Sequence, residues 1–274
     1  MVYITFSWII FGLYALTGYL YWRAFLSKRS DDFLWARRLF SATLIAQSVF
    51  IIYFAFKFGR LPIATVNETF GTFVFLTAAI YWVLEKRLGE FSMGVLILPI
   101  FLILLAIGNL TFRGDEPIAE VLKDVKFGAH VLAMLLAYGA FAISFIASLL
   151  HKLLTREIQK HELGMFYSRL PSLPFFERIS NAAIDIGMIF ATIGLGLGVY
   201  FASQVWQGYL LSDPKFTAAF LTWLIYGIHA IGRRVSGFSG QRAATISLIG
   251  FSWLLFSYVI ISMLFTKVHH FAQL

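Results

Sequence analysis

FGAHVLAMLLAYGAFAISFIASLLH, residues 127–151, decides the architecture of this chain. It is one continuous apolar run, longer than the ~20 residues that carry a helix across ~30 Å of hydrocarbon. Strands of a membrane barrel would instead alternate apolar and polar positions over about 10 residues. Comparable runs lie on both sides of it, and spans are expected at about 3–26, 35–58, 66–84, 92–110, 127–153, 180–204, 216–232 and 243–266. Gly, Pro or charge clusters fill every gap. The expected fold class is therefore all-α: a polytopic membrane helical bundle of about eight transmembrane helices, forming a single integral membrane domain over residues 1–274.

Composition agrees. Of 274 residues, 59% are hydrophobic and 13% charged, against roughly 45–50% and about 25% in ordinary soluble domains. Val2–Phe25 has no basic segment before it and no small-residue cleavage site, so it reads as a retained helix and not as a removed signal. The net charge of +8 is explained by topology and not by nucleic-acid binding. Alternate connections, beginning with Arg23, Lys28, Arg29, Arg37 and Arg38, hold 15 of the 22 basic residues. Basic residues are retained on the cytoplasmic side, which puts both termini and the even-numbered connections outside.

The chain has no cysteine. Disulfides, thiolate ligands, thiol redox chemistry and covalent heme attachment through C-x-x-C-H are thereby excluded. An iron would have to be held by His, Met or carboxylate. Of the six histidines, His151 and His161 are expected as solvated interfacial residues, and His229 as a packed, hydrogen-bonded one. His130 and the pair His269–His270 fall at the external surface, where interfacial histidines are common and where two imidazoles on opposite helices would also clamp a heme.

The external connection ASQVWQGYLLSDPK, residues 202–215, brings Trp206, Tyr209, Asp213 and Lys215 to that surface. It reads either as an interfacial aromatic belt with an Asp-Pro turn opening the next helix, or as flat faces and a cation for a macrocycle and its propionates. In RLPIATVNETF, residues 60–70, Glu68 caps the third helix by default, with a functional role as the alternative. Gly187, Gly194, Gly196 and Gly198 lie inside an apolar helix and point to close helix packing. The cytoplasmic connection at about 154–179, with Pro171, Pro174 and the Phe175–Phe176 pair, is expected to be a solvated linker, with a docking segment as the alternative. No phosphate-binding loop, H-E-x-x-H motif or nucleophile elbow is present.

Taken in order, these segments resemble the heme-handling membrane proteins of cytochrome c assembly, above all the shorter HemX-like branch, over a core of about 60–270. Residues 127–151 are similar to the family helix that opens on an external histidine. DPKFTAAFLTWLIYGIHAIGRR, residues 213–234, is similar to the end of the family's tryptophan-rich signature. FSYVIISMLFTKVHH, residues 256–270, resembles the closing helix that delivers a second histidine, in a register favouring His269. RLPIATVNETF puts Glu68 at an acidic position of the family's pattern, which counts it with the cofactor-binding residues. The signature is degenerate: Leu210, Ser212, Phe216 and Ala218 stand where two tryptophans, a glutamate and a third tryptophan are expected. Gln47 stands where fuller members carry a histidine in the second helix.

The resemblance implies non-covalent heme b held at the extracytoplasmic face of a bacterial inner membrane, without independent catalysis. His130 and His269 would be axial ligands, Trp206 and Tyr209 would pack on the porphyrin, Lys215 would pair with a propionate, and Asp213 would order the loop. Implied partners are heme, apocytochrome c, which must bring its own thiols, and other assembly proteins. Two rival expectations are a regulator of a cytoplasmic tetrapyrrole-synthesis enzyme acting through residues 154–179, and a small-molecule transporter without heme.

Overall fold

The computed structural model describes residues 2–27, 30–112, 118, 122, 124–161, 170–205 and 213–265. Among them are eight helices: α1 (Val2–Ser27), α2 (Ser30–Phe58), α3 (Val66–Leu88), α4 (Gly94–Leu110), α5 (Val125–Gln159), α6 (Leu173–Val205), α7 (Pro214–Val235) and α8 (Gly240–Phe265). They correspond one for one with the eight expected spans. By length and apolarity α1, α2, α5 and α6 suffice to cross a membrane among the described residues, and α4 is a shorter apolar helix. The protein is a helical membrane bundle, divided into a unit of α1–α4 and a unit of α5–α8.

In the first unit α1 packs on α2 and α4, and α3 packs on the same two helices, closing an up-and-down ring. A repeat of 3.5 residues makes this possible. Buried positions on α1 are Ser7, Ile10, Tyr14, Thr17, Tyr21 and Ala24, alternating steps of three and four. Gly94, Leu98, Phe101, Leu105 and Gly108 keep the same rhythm on α4. The inward stripe of α1 is largely polar, while Trp8, Ile9, Leu16 and Trp22 stay exposed on its outer side. Such a polarity, inverted relative to a water-soluble bundle, suits a lipid surround, where hydroxyls and amides find partners only inside the protein.

Local chemistry bounds α3. The Thr65 hydroxyl accepts from the Glu68 N–H, and the helix ends at Gly89, whose φ of 69° is left-handed. Glu68 accepts from the Ala64 N–H at 2.9 Å and takes both guanidinium nitrogens of Arg60 at 2.6 and 2.8 Å.

The second unit is held by close approach. The Phe141 ring of α5 stacks on Tyr226 of α7, 3.8 Å between centroids and 4° from parallel. Phe141 reaches that place because Gly187 of α6 has no side chain there; a Cβ at Gly187 would collide with the ring. Four serines then knot three helices: Ser144 is hydrogen-bonded to Ser180 at 2.8 Å and to Ser247 at 2.7 Å, and Ser148 to Ser180 at 3.2 Å. Gly194 and Gly198 likewise meet Met134 and His130 of α5, whereas a Cβ at Gly196 would meet nothing within 4 Å. Three of the four glycines thus serve close packing, as expected.

The connection placed at about 154–179 is shorter than the sequence suggested. α5 runs on to Gln159 and α6 begins at Leu173, with Pro174 in its first turn, where proline is tolerated because its missing N–H is not needed. Phe175 and Phe176 are buried, so this pair is packing and not an exposed dock. For the same reason His151 is buried inside α5 and not solvated. His161 is exposed, and His229 is fully buried beside the Ala243 backbone, packed as expected.

Because Gly187 and Gly196 differ only in what faces them, they form a controlled pair. Gly187→Ala should lower the apparent melting temperature in detergent by the equivalent of about 1–3 kcal/mol of overpacking. Gly196→Ala should leave it unchanged or raise it.

Candidate functional site

The second unit contains a cavity of about 540 Å³, within the ~300–1,000 Å³ range of small-molecule and cofactor sites. Its walls come from all four helices: Met134 and Tyr138 of α5, Leu195 and Gly198 of α6, Phe216 and Thr222 of α7, and Leu254 and Tyr258 of α8. His130, Asp213 and Lys215, the polar residues singled out in the sequence, all line it. They come together because α5 and α7 both begin there.

His130 is the best-defined group. Its Nδ1 lies 2.8 Å from the Gly194 carbonyl oxygen. A carbonyl only accepts, so Nδ1 donates; in a neutral imidazole this leaves the lone pair on Nε2, the tautomer that binds a metal through that nitrogen. One turn further along α6, a Cβ at Gly198 would sit 2.9 Å from His130 Cε1. Two glycines therefore make one slot: Gly194 supplies the acceptor and Gly198 leaves the room. Phe127, one turn before the histidine, lies 5.9 Å from its ring and packs edge-on to Phe201.

Asp213 is the N-cap of α7. Its carboxylate accepts from the Lys215 N–H at 2.7 Å and the Phe216 N–H at 3.0 Å, and Pro214 follows it at the first helical position. The expected Asp-Pro turn is therefore present, and it orders the entry to the helix. The Lys215 side chain is exposed. It puts a cation at this edge of the cavity, of the kind that pairs with a carboxylate.

Trp206, Tyr209, His269 and His270 lie outside the described residues. Glu68 belongs to the first unit, where its carboxylate is taken up by Arg60 and the Ala64 N–H. Gln47, also in the first unit, has the partners a buried amide needs: it accepts from the Tyr14 hydroxyl at 2.7 Å and donates to the Gly71 carbonyl at 3.0 Å. Among the described residues no three His, Asp or Glu side chains gather into a metal site.

Sequence reasoning missed the apolar and hydroxyl walls. Met134 and Tyr138 follow His130 at steps of four, on one helix face, and that spacing was open to view. The second task of Gly194 and Gly198, holding the histidine, had no sequence signal beyond their being glycines in a helix.

The sequence model of the family described as Cytochrome C assembly protein matches residues 10–269. Cytochrome c biogenesis protein CcsA of Guillardia theta is 24% identical over 278 residues, covering 93% of this chain and 91% of the relative. CcsA of Trieres chinensis is 22% identical over 304 residues, with coverages of 97% and 96%. CcsA of Synechococcus elongatus is 22% identical over 258 residues, with coverages of 78% and 79%. A match that takes in nearly the whole chain, on a bundle of membrane helices, means that this protein belongs to the cytochrome c assembly protein family.

Proposed function

We propose that the chain holds or delivers non-covalent heme b at the extracytoplasmic face of a bacterial inner membrane, as a step in cytochrome c biogenesis. The observation that carries this reading is His130, oriented through Nδ1 by a backbone carbonyl at the wall of a cavity of about 540 Å³. Neutral imidazole with its second nitrogen so engaged is a usual axial ligand. The wall suits a macrocycle: Met134, Leu195, Phe216 and Leu254 offer apolar surface, and Lys215 stands at the rim for a carboxylate.

In this reading His130 binds iron through Nε2. His269, four residues past the end of α8 at Phe265, supplies the second imidazole, and Trp206 and Tyr209 add aromatic surface. Lys215 pairs with a propionate, and Asp213 fixes the turn that presents it. Heme bound here would supply the group that an apocytochrome's own thiols later capture, since this chain has no cysteine to do so. Glu68, counted with the cofactor-binding residues by resemblance, is paired with Arg60 in the first unit and holds the start of α3 there. Apocytochrome c and other assembly proteins are the expected partners.

Absorption spectra of the purified protein, oxidised and reduced, test the ligand pair. Wild type should show a low-spin spectrum that is lost in a His130→Ala, His269→Ala variant; an unchanged spectrum in that variant would remove both residues from the iron. Gly198→Ala, by pushing the imidazole out of its slot, should lower heme content while leaving the helical circular dichroism intact. Lys215→Ala should weaken heme binding modestly, by the ~0.2–1 kcal/mol of an exposed ion pair, with a loss that fades as salt is raised.

A further inference from the structure

One end of the first unit gathers cations that no acid neutralises. Elsewhere in this unit Arg23 is paired with Asp32 at 2.7 Å and Arg60 with Glu68 at 2.6 Å. Arg37, Arg38, Lys86 and Arg87 take part in no ion pair among the described residues. All four stand on the side that the distribution of basic residues reads as cytoplasmic. The acids of this end are engaged by other groups: Asp32 by Arg23 and the Ser27 hydroxyl, and Glu90 by the N–H groups of Phe91 and Ser92 and the Ser92 hydroxyl. Glu85 is buried against the Tyr21 hydroxyl, and Asp31 is exposed in the first turn of α2.

Aromatic rings hold three of these cations in place. The Arg38 guanidinium lies 5.0 Å from the centroid of Trp35, the Lys86 ammonium 5.3 Å from that of Trp82, and the Arg37 guanidinium 5.8 Å from that of Phe91. A cation resting on a ring keeps its charge and its N–H donors for a second partner. Two of the rings are themselves tied down. Trp82 Nε1 of α3 donates to Ser41 Oγ of α2 at 2.9 Å, the Ser41 hydroxyl donates to the Arg37 carbonyl at 3.0 Å, and Phe91 stacks on Phe33 of α2 at 5.6 Å between centroids. The Trp82–Ser41 bond sets the two antiparallel helices level. One turn beyond it, Arg37 and Arg38 on α2 and Lys86 on α3 share one end of the seam. Toward the middle of the membrane the surface turns apolar: Ile45, Val49 and Ile52, on the same face of α2 as Arg38, are each more than half exposed.

We propose that this end of the α2–α3 seam binds an anionic phospholipid of the adjoining leaflet, with its phosphate among Arg37, Arg38 and Lys86 and an acyl chain along Ile45, Val49 and Ile52. Charge complementarity selects the class, because a zwitterionic headgroup would bring a further cation to a place where cations already crowd. The apolar stripe selects a lipid over a free phosphate, since only an amphiphile uses both parts. Basic clusters at a cytoplasmic membrane surface attract anionic lipids in general. Here the rings and the Trp82–Ser41 bond give that attraction a fixed place. The inference concerns the first unit alone and does not depend on heme in the second.

Native mass spectrometry of the full chain, released from mixed micelles, tests it with phosphatidylglycerol, phosphatidylcholine of the same acyl chains and inorganic phosphate as probes. Wild type should retain phosphatidylglycerol in preference to phosphatidylcholine, with phosphate unable to displace it. Arg38→Gln combined with Lys86→Gln should weaken retention of phosphatidylglycerol by roughly fivefold for each cation removed and leave phosphatidylcholine unaffected. Arg156→Gln combined with Lys160→Gln on α5, an equal change of charge on the same side, should retain phosphatidylglycerol as wild type does. Ser41→Ala, a smaller change that decides the question if the first double variant does not fold, keeps every charge but unties Trp82 and should also weaken retention. Equal losses in the two double variants, an unchanged Ser41→Ala, or no preference for phosphatidylglycerol in wild type would overturn the site in favour of the general attraction of a basic surface. Displacement by phosphate would overturn it in favour of an anion site without a lipid.

Discussion

The structure depends on one constraint: in hydrocarbon, a polar group has no partner except another part of the protein. Both units answer it, each in its own manner. The first gathers hydroxyls, amides and one carboxyl onto the inner stripes of four helices, where Tyr3 finds Asn67, Tyr14 finds Gln47 and Tyr21 finds Glu85. The second ties α5, α6 and α8 together through the serines at 144, 148, 180 and 247. Apolar matching cannot choose between helix registers in lipid, because the tails are as apolar as the side chains. Directed hydrogen bonds can, and here they do.

The histidine at the start of α5 shows how the same constraint produces a site. His130 needs a partner for one nitrogen, and the helix backbone provides it only because Gly194 and Gly198 let the ring come close. A packing notch thereby becomes an orienting device. Nδ1 is thereby satisfied on a residue that lines the cavity the other three helices complete. Asp213 acts similarly at α7, where capping the helix also fixes the place from which Lys215 emerges.

Glu68 and Glu85 make a useful contrast, being two buried carboxyls on one helix. Glu68 has a bidentate arginine and a backbone N–H, and is spent on holding the start of α3. Glu85 has a phenol hydroxyl and no ion pair among the described residues. Residue type was visible for both, but their different parts follow from what lies opposite each of them.

By itself the sequence determined the helical class, the number of spans, the relation to cytochrome c assembly proteins, and the residues 130, 213 and 215 as parts of one place. The class and the count follow from apolar runs local along the chain, the shared surface from the distribution of basic residues, and the relation from the resemblance of short segments. Tertiary structure decided the rest, because it depends on which residues meet across helices. Only there do Phe175, Phe176 and His151 prove buried, since α5 and α6 outlast their apolar runs. Only there does the polar stripe of α1 become visible, because a period of 3.5 written in tyrosines, serine and threonine carries no apolar contrast until α2, α3 and α4 supply its hydrogen-bond partners.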